Sequence, residues 1–254
     1  MKKDLVSVLM VNYNHADTIE KSIRSVLEQT YSKLQLIIVD DGSTDNSVEI
    51  INSIEDPRIE LYEEKENKQI CAVTNIGMKK VRGEYFARID SDDLWEKNKL
   101  EIQVEYLKNH SEQKICFTHA AIINEKDQII DSELEKLYAV NYESQEEWLE
   151  TFFFIGNCLP MTSVLMTTKL MVEIGEFNIA YRQLHDFDYW VRVAKKCPMA
   201  VIRKKLVRMR RYDNEINNSN TSEENMTRTY NEYVDIRRHF FDEMSDVVLK
   251  KTFG

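Results

Sequence analysis

The first third of the chain alternates short apolar runs with segments in which apolar residues recur every three or four positions. Leu5–Val11 and Leu34–Val39 are almost continuously apolar, a pattern typical of strands that are buried on both faces of a sheet. Between them, Ile19, Ile23 and Val26 recur at the spacing of one helix face. This alternation predicts an α/β fold in which parallel strands are joined by right-handed helical crossovers.

Two further strands are predicted at Arg58–Tyr62 and Tyr85–Ile89, and the helix between them is expected to end at Gly83. The second half of the chain is less regular. It contains four more predicted helices, near residues 97–108, 146–154, 169–174 and 185–195.

The last part of the chain is predicted to be a polar loop followed by one helix. Residues 217–225 carry no apolar side chain and are expected to be mobile. From Met226 onward the pattern indicates a single amphipathic helix, whose apolar face would contain Tyr230, Val234, Phe241, Met244 and Val248.

Composition restricts the class of protein. A chain of 254 residues with 43% hydrophobic content can bury a substantial core, and its formal charge of −10 excludes the basic excess that nucleic-acid binding requires. The four cysteines lie far apart and form no CxxC pair, which predicts reduced thiols. The most apolar segment, Phe152 to Met166, is too short and too polar to span a bilayer, and no signal peptide is evident. We therefore expect a soluble, cytoplasmic protein.

Polar side chains follow three of the predicted strands, at the point where each strand ends. They are Asn12-Tyr13-Asn14, Asp40-Asp41 and Asp90-Ser91-Asp92-Asp93. In open α/β sheets, ligands bind outside the carboxyl ends of the strands. The three clusters are therefore expected to converge on one edge of the sheet and to form a ligand site there.

The third cluster has the chemistry of a cation site. Asp90 and Asp92 are two positions apart, so their carboxylates point the same way in an extended backbone. A hard divalent cation such as Mg²⁺ or Mn²⁺ would compensate such a pair. Asp93 is expected to support the site or to cap the following helix. A calcium-binding loop is excluded because Leu94 and Trp95 stand where a ligand and a turn glycine are required.

Several segments of the sequence resemble those of a known family. The residues that carry the resemblance are Val6–Asn14 (VSVLMVNYN), Ser25–Tyr31 (SVLEQTY), Ile38–Asp45 (IVDDGSTD), Gly83-Glu84-Tyr85 and Asp90–Asp93 (DSDD). In this order they are similar to the GT-A fold, family 2 glycosyltransferases. The resemblance implies a Rossmann-like, mostly parallel sheet flanked by helices, with a helical C-terminal tail. It implies a glycosyltransferase domain over 1–215, divided into a nucleotide-sugar-binding half (1–118) and an acceptor-side half (119–215), before a loop and helix at 216–254.

The family also implies roles for the polar clusters. By motif, Asp41 would contact the nucleotide base, and Tyr13 could stack on the ring. Asp92 would bind the metal, Mn²⁺ or Mg²⁺, while Asp90 would bind the metal or the ribose. Arg210 and Arg211 would clamp the diphosphate.

The resemblance places the catalytic base in the segment Leu184–Arg192 (LHDFDYWVR). Asp186 matches the general base of an inverting transfer. His185 stands where glutamate is common, and it is a competing candidate for the base. Tyr212 replaces the histidine that completes the metal site in the family, so the third protein ligand of the metal is left open.

Two other classes remain open on the sequence. A nucleotidyltransferase would use a similar sheet but would need a glycine-rich basic loop after the first strand, which is not present at 12–17. His185 and Tyr212 are the features that would favour a non-catalytic nucleotide-sugar-binding protein, because they touch the base and metal positions of the family. The acceptor could be a carbohydrate, a lipid-linked glycan or a protein. Peripheral association with the inner face of a membrane is expected from the family, from Phe152-Phe153-Phe154 and from the C-terminal helix.

Overall fold

The computed structural model describes residues 1–212 and 222–254. Most of the predicted loop at 217–225 lies outside the described residues, and Ser222 already caps the helix that follows it. The strands are β1 Lys2–Asn12, β2 Leu34–Asp40, β3 Ile59–Glu63, β4 Gly83–Asp90, β5 Leu94–Trp95, β6 Ile115–Ile123, β7 Leu165–Thr167 and β8 Ala200–Arg210.

Ten helices of the described residues flank these strands. They are α1 Ile19–Leu27, α2 Ser47–Asn52, α3 Ile70–Met78, α4 Lys99–Asn109, α5 Glu133–Leu137, α6 Gln145–Phe154, α7 Thr168–Ile174, α8 His185–Ala194, α9 Glu223–Arg238 and α10 Asp246–Phe253. None of the helices in this part of the chain has the length and apolar character needed to cross a membrane.

The strands form one mixed sheet in the order β3-β2-β1-β4-β7-β6-β8-β5. The four strands of the first half pair in parallel, as the alternating pattern predicts. The α/β fold with helices on both sides of the sheet is thus confirmed. The second half adds antiparallel pairs, because β7 runs against both β4 and β6, and β5 runs against β8.

Alternate residues of β1 point into two separate apolar layers. Leu9 and Val11 pack with α3, α6 and α8, whereas Val8 and Met10 pack with α1 and α4 on the other face. All four side chains are buried, which explains the uninterrupted apolar run in the sequence.

Gly83 does not end a helix, so that prediction is wrong. Helix α3 already ends at Met78, and Gly83 is the first residue of β4. A Cβ atom at this position would lie 2.4 Å from the carbonyl oxygen of Leu5. Glycine is required here because the backbones of β1 and β4 approach closely.

The C-terminal segment contains two helices, α9 and α10, instead of one. The predicted apolar face is only partly correct: Met244 and Val248 pack against the core, whereas Tyr230 is 69% exposed. The residues that turn inward are Glu232, Ile236 and, just past the helix end, Phe240. This stripe has helical spacing but begins with a carboxylate, which a hydrophobic pattern cannot reveal.

Lys99, at the start of α4, allows a test of the packing on the α1 and α4 side of the sheet. Its side chain is fully buried, with Nζ 2.7 Å from Gln103 Oε1 and 3.8 Å from the centre of the Trp95 ring. Burial lowers the pKa of Lys99 to about 7. The folded state therefore releases this proton at a lower pH than the unfolded chain, and stability should rise with pH above 7.

We expect Lys99→Met to raise the free energy of unfolding at pH 6. This gain should shrink by ~1.4 kcal/mol per pH unit between about pH 7 and pH 10, as the wild-type lysine loses its charge. Urea unfolding at several pH values measures the difference in the free energy of unfolding between the variant and the wild type. Lys97→Met is the control, because the Lys97 side chain is 77% exposed and should show no such trend. A gain in the free energy of unfolding that is the same at every pH would contradict the lowered pKa of Lys99.

Candidate active site

The parallel register brings the predicted polar clusters to one edge of the sheet. Asn12 pairs with Asp40 across β1 and β2, and Val11 pairs with Asp90 across β1 and β4. The carboxyl ends of the three strands therefore lie side by side, as expected from the sequence.

The two aspartates at the end of β2 both hold backbone in place. Asp40 is buried and accepts hydrogen bonds from Asn12 Nδ2 at 2.7 Å and from the backbone N–H of Ser43 at 2.8 Å. Asp41 accepts hydrogen bonds from the N–H groups of Lys68 at 2.6 Å and Gln69 at 3.1 Å, which fixes the loop before α3. Burial raises the pKa of the Asp41 carboxyl despite these bonds.

Tyr13 lies at the same edge of the sheet and is 43% exposed. Its ring follows the end of β1, one position after the buried Asn12. A flat aromatic surface that water can reach is what stacking on a nucleotide base would require.

A buried arginine lies next to the acidic cluster at the end of β4. Arg88 Nη2 lies 3.2 Å from Asp90 Oδ1, and the arginine is only 1% exposed. Arg88 Nε and Nη1 find no hydrogen-bond partner in the described part of the chain. Burial raises the pKa of Asp92, while the charge of His15 opposes that rise. His15 is held by a 2.7 Å hydrogen bond between its Nδ1 and Ser91 Oγ.

Arg210, predicted to clamp a diphosphate, is itself buried at the acidic cluster. Its backbone N–H donates to Asp93 Oδ1 at 2.9 Å, and its Nε donates to the carbonyl of Asp92 at 2.9 Å. The other guanidinium nitrogens donate to the carbonyl of Asn124 and to Asp127 Oδ1, at 2.7 and 2.5 Å. Arg210 therefore fixes the backbone of the acidic turn, and its guanidinium is already bound to protein acceptors.

The two residues after Arg210 line the same region. Arg211 is half-buried, and its charge acts on the side chain of Tyr138. Tyr212 is also half-buried. Burial and the nearby charge of Asp92 raise the pKa of Tyr212 to about 12, so the phenol stays neutral beside Asp92. The residue that departs from the family pattern is thus placed next to the candidate metal ligand.

The first turn of α8 carries the candidate base and holds its carboxylate in place. Asp186 Oδ2 accepts a hydrogen bond from Asn157 Nδ2 at 2.8 Å, and its Oδ1 accepts one from the N–H of Phe187 at 2.7 Å. Burial lowers the pKa of His185, and the charges of Asp186, Arg88 and Asp90 also act on it. The end of β4 and the start of α8 therefore share one electrostatic environment.

The donor set at this edge fits a divalent cation. The raised pKa of Asp92, caused by burial and by the negative charge of Asp90, shows a carboxylate that is short of positive charge. Cations such as Mg²⁺ use one or two carboxylates together with substrate phosphates. Across residues 1–212 and 222–254, no group of three His, Cys, Asp or Glu side chains is arranged to hold a metal. Asp92 and Asp90 would thus be the protein ligands.

Comparison with known proteins identifies the family. The model of the family described as "Glycosyl transferase family 2" matches residues 7–168, which include the ends of β1, β2 and β4. The chain belongs to glycosyl transferase family 2. As a member of this family, it is a glycosyltransferase.

Individual relatives cover most of the chain. The UDP-Glc:alpha-D-GlcNAc-diphosphoundecaprenol beta-1,3-glucosyltransferase WfaP of Escherichia coli is 30% identical over 195 residues, which are 76% of this chain and 71% of the relative. An uncharacterised glycosyltransferase of Rickettsia conorii is 31% identical over 207 residues, or 81% of this chain. The match spans only 32% of that longer protein.

Solved structures show the same fold. S. aureus TarS 1-349, in complex with UDP-GlcNAc, superposes with a TM-score of 0.72 at 16% identity and covers 97% of this chain and 71% of its own. The mannosyltransferase PcManGT of Pyrobaculum calidifontis, in complex with GDP-Man and Mn²⁺, gives a TM-score of 0.62 at 15% identity over 97% and 67% of the two chains. At such identities the likeness concerns the fold, and it confirms the GT-A arrangement.

Two residues of the site lie close to the sequence motifs but had no role assigned to them. Arg88 lies two positions before Asp90 on the same face of β4, a spacing that could have indicated the ion pair. His15 follows Asn14 directly, but its contact with Ser91 joins residues 76 positions apart. No local pattern in the sequence reveals that contact.

We expect Asp92→Asn to remove the effect of Mn²⁺ on the binding of UDP. In the wild type, Mn²⁺ should strengthen UDP binding about tenfold or more, since contacts with charged groups contribute roughly 1.5–3 kcal/mol. In Asp92→Asn the affinity should be equal with Mn²⁺ and with EDTA. Isothermal titration calorimetry measures both. Asp17→Asn is the control, because Asp17 is an exposed carboxylate near the same edge. Full Mn²⁺ stimulation in Asp92→Asn would contradict the assignment.

Proposed function

We propose that this glycosyltransferase moves a sugar from a UDP-sugar to an acceptor hydroxyl with inversion at the anomeric carbon. The observation that carries the proposal is that the charges of Arg88 and Asp90, which form an ion pair at the end of β4, both act on His185, the neighbour of Asp186. This supports one site built from the end of β4 and the start of α8. A leaving-group site and a proton acceptor on opposite sides of a cleft are what an in-line displacement needs.

The donor would lie along the carboxyl edge of β1, β2 and β4. Tyr13 would stack on the uracil ring, and Asp41 would approach its imide N–H from the end of β2. A bound Mn²⁺ or Mg²⁺, held by Asp92 with help from Asp90, would supply positive charge against the leaving diphosphate.

The two arginines after β8 would contribute in different ways. Arg210 would act indirectly, because its guanidinium is bound to the carbonyls of Asp92 and Asn124 and to Asp127. Arg211 would be the residue that faces the diphosphate, since it is half-buried beside the acidic turn. Its guanidinium could form the paired hydrogen bonds that phosphate oxygens favour.

On the acceptor side, Asp186 would take the proton of the attacking hydroxyl. Asn157 holds one carboxylate oxygen and the N–H of Phe187 holds the other, so the side chain is fixed at the start of α8. His185 is the competing base, because burial lowers its pKa and favours the neutral form that can accept a proton.

Glycan or cell-surface polysaccharide synthesis is the proposed setting. The Escherichia coli relative is named for transfer from UDP-Glc to a diphosphoundecaprenol-linked sugar, and TarS binds UDP-GlcNAc. We extend the UDP-sugar donor to this chain, with a hexosyl or N-acetylhexosaminyl group as cargo. The acceptor would be a lipid-linked glycan, with a free carbohydrate or a protein as alternatives.

We expect Asp186→Asn to lower kcat for transfer about 10²–10⁴-fold, the usual contribution of a general base, and to leave the affinity for UDP unchanged. Transfer assays with a panel of UDP- and GDP-sugars, with and without Mn²⁺, measure this and separate transfer from plain binding. The matched control is Asp188→Asn, which removes the ion pair with Arg192 on the same helix.

Three results would change the assignment. Full activity in Asp186→Asn together with loss of activity in His185→Gln would make His185 the base. UDP-sugar binding without transfer or hydrolysis in the wild type would favour a non-catalytic nucleotide-sugar-binding protein. Release of a sugar 1-phosphate in place of UDP would indicate a nucleotidyltransferase, because the nucleotide and not the sugar would then be transferred.

A lipid-linked acceptor would place the enzyme at the inner face of the cytoplasmic membrane. Phe154 and Ile155, at the end of α6, are 68% and 64% exposed, and Val247 on the neighbouring α10 is 75% exposed. Arg237 Nη2 lies 3.4 Å from the carbonyl of Phe154, which brings positive charge to these apolar side chains. An apolar patch with basic neighbours suits the surface of an anionic membrane.

We expect the protein to float with phosphatidylglycerol vesicles in a density gradient. The double variant Phe154→Ser/Ile155→Ser should bind them more than about tenfold less, since burying each side chain contributes roughly 1.5–3 kcal/mol. Ile179→Ser is the control, because Ile179 is 72% exposed but not part of this patch. Wild-type protein that stays at the bottom of the gradient would contradict membrane association.

A further inference from the structure

The loop that leads into α8 is held by a carboxylate from a distant helix. Leu184, at the N-cap position of α8, makes no side-chain capping hydrogen bond. Instead, Glu232 of α9 accepts hydrogen bonds from the backbone N–H groups of Arg182 and Gln183, each at 2.9 Å, and of Leu184 at 2.8 Å. These residues come directly before His185 and Asp186.

Glu232 is an unusual residue to bury. It is only 6% exposed, and the described residues give it no Lys, Arg or His within ion-pair distance. Removing a carboxylate from water costs several kcal/mol unless it is well compensated. Here the compensation comes from three backbone N–H groups and from the positive end of the α8 dipole. Such a carboxylate favours the backbone geometry in which all three N–H groups reach it together.

Other residues of α9 contact the same segment on both sides of Asp186. Before it, the Tyr181 hydroxyl donates to Asp235 Oδ2 at 2.7 Å. After it, the rings of Phe187 and Tyr233 stack with centroids 5.5 Å apart. Tyr233 also donates its hydroxyl hydrogen to the carbonyl of Ile155 at 3.2 Å, two residues before the asparagine that holds Asp186. Helix α9 therefore touches every segment that positions this carboxylate.

We propose that Glu232 is a positioning residue for Asp186, and that α9 is in this way a working part of the acceptor side of the site. The inference rests on the proposed role of Asp186. Helix α9 lies beyond residues 7–168, the part of the chain that the family model matches. Glu232 holds the backbone of 182–184, this backbone sets the direction of the first turn of α8, and the turn orients the Asp186 carboxylate.

The test compares Glu232→Gln with Glu232→Asp and Asp235→Asn. Gln keeps the size of Glu but replaces one acceptor oxygen by an NH₂ group, which cannot accept a backbone N–H. We expect kcat to fall about 10–100-fold, the scale of a misplacement of about 1 Å, while the KM for the UDP-sugar and the Kd for UDP stay within twofold. Asp keeps the carboxylate and should lose less activity. Asp235→Asn should match the wild type, because an amide oxygen still accepts the Tyr181 hydroxyl.

Hydrogen exchange provides the second readout, and it does not depend on activity. The amides of residues 182–187 should exchange faster in Glu232→Gln, whereas those of β1 and β4 should not change. A residue that only stabilises the fold would raise exchange throughout the protein and would raise KM and Kd together with lowering kcat. Should Glu232→Gln fail to fold, Glu232→Asp is measured in the same way, with the same selective change expected at 182–187.

The outcomes separate the two proposals. Unchanged kcat, or unchanged exchange at 182–187, overturns the role of Glu232. A parallel loss of kcat and donor affinity also overturns it. If Asp186→Asn keeps full activity, the proposed base fails instead, and selective exchange at 182–187 then shows whether Glu232 holds this turn.

Discussion

The site depends on how the protein keeps three aspartates together at the end of one strand. Each of them meets positive charge or N–H groups from elsewhere in the chain: Arg88 contacts Asp90, His15 acts on Asp92, and the backbone of Arg210 binds Asp93. These partners come from β4, from the turn after β1 and from β8. These contacts offset the repulsion among the carboxylates, and they join the end of β4 to the turn after β1 and to β8.

Three strands of the first half of the chain, β1, β2 and β4, can be predicted from the sequence. The strands β1, β2 and β4 are buried on both faces, so their apolar runs are unmistakable, and parallel pairing then brings their carboxyl ends together. The pairing of Asn12 with Asp40 and of Val11 with Asp90 follows from this rule. The spacing of Asp90 and Asp92 also predicts a cation site at this edge, and that site stays a prediction.

The remainder depends on contacts that no local pattern contains. Strand β5 has two residues, too few for periodicity to show, and it exists because β8 pairs with it. Gly83 was predicted to end a helix because glycine often does, whereas the close approach of Leu5 decides its position. The inward face of α9 was missed because it includes Glu232, whose partners are the backbone of a loop about fifty residues earlier in the chain.

The pairing of β5 with β8 has a geometric consequence for the acidic turn. Three strands, β7, β6 and β8, separate β4 from β5 in the sheet, so a flat sheet would place β4 and β5 about 19 Å apart, at about 4.8 Å per strand. Only Ser91, Asp92 and Asp93 connect the two strands, and a chain of that length reaches about 14 Å at most. The sheet must therefore bend, so that its far edge approaches β4. The aspartate turn then spans the remaining distance between β4 and β5. Any change in the curl of the sheet would then alter the distance between the carboxylates of Asp90 and Asp92.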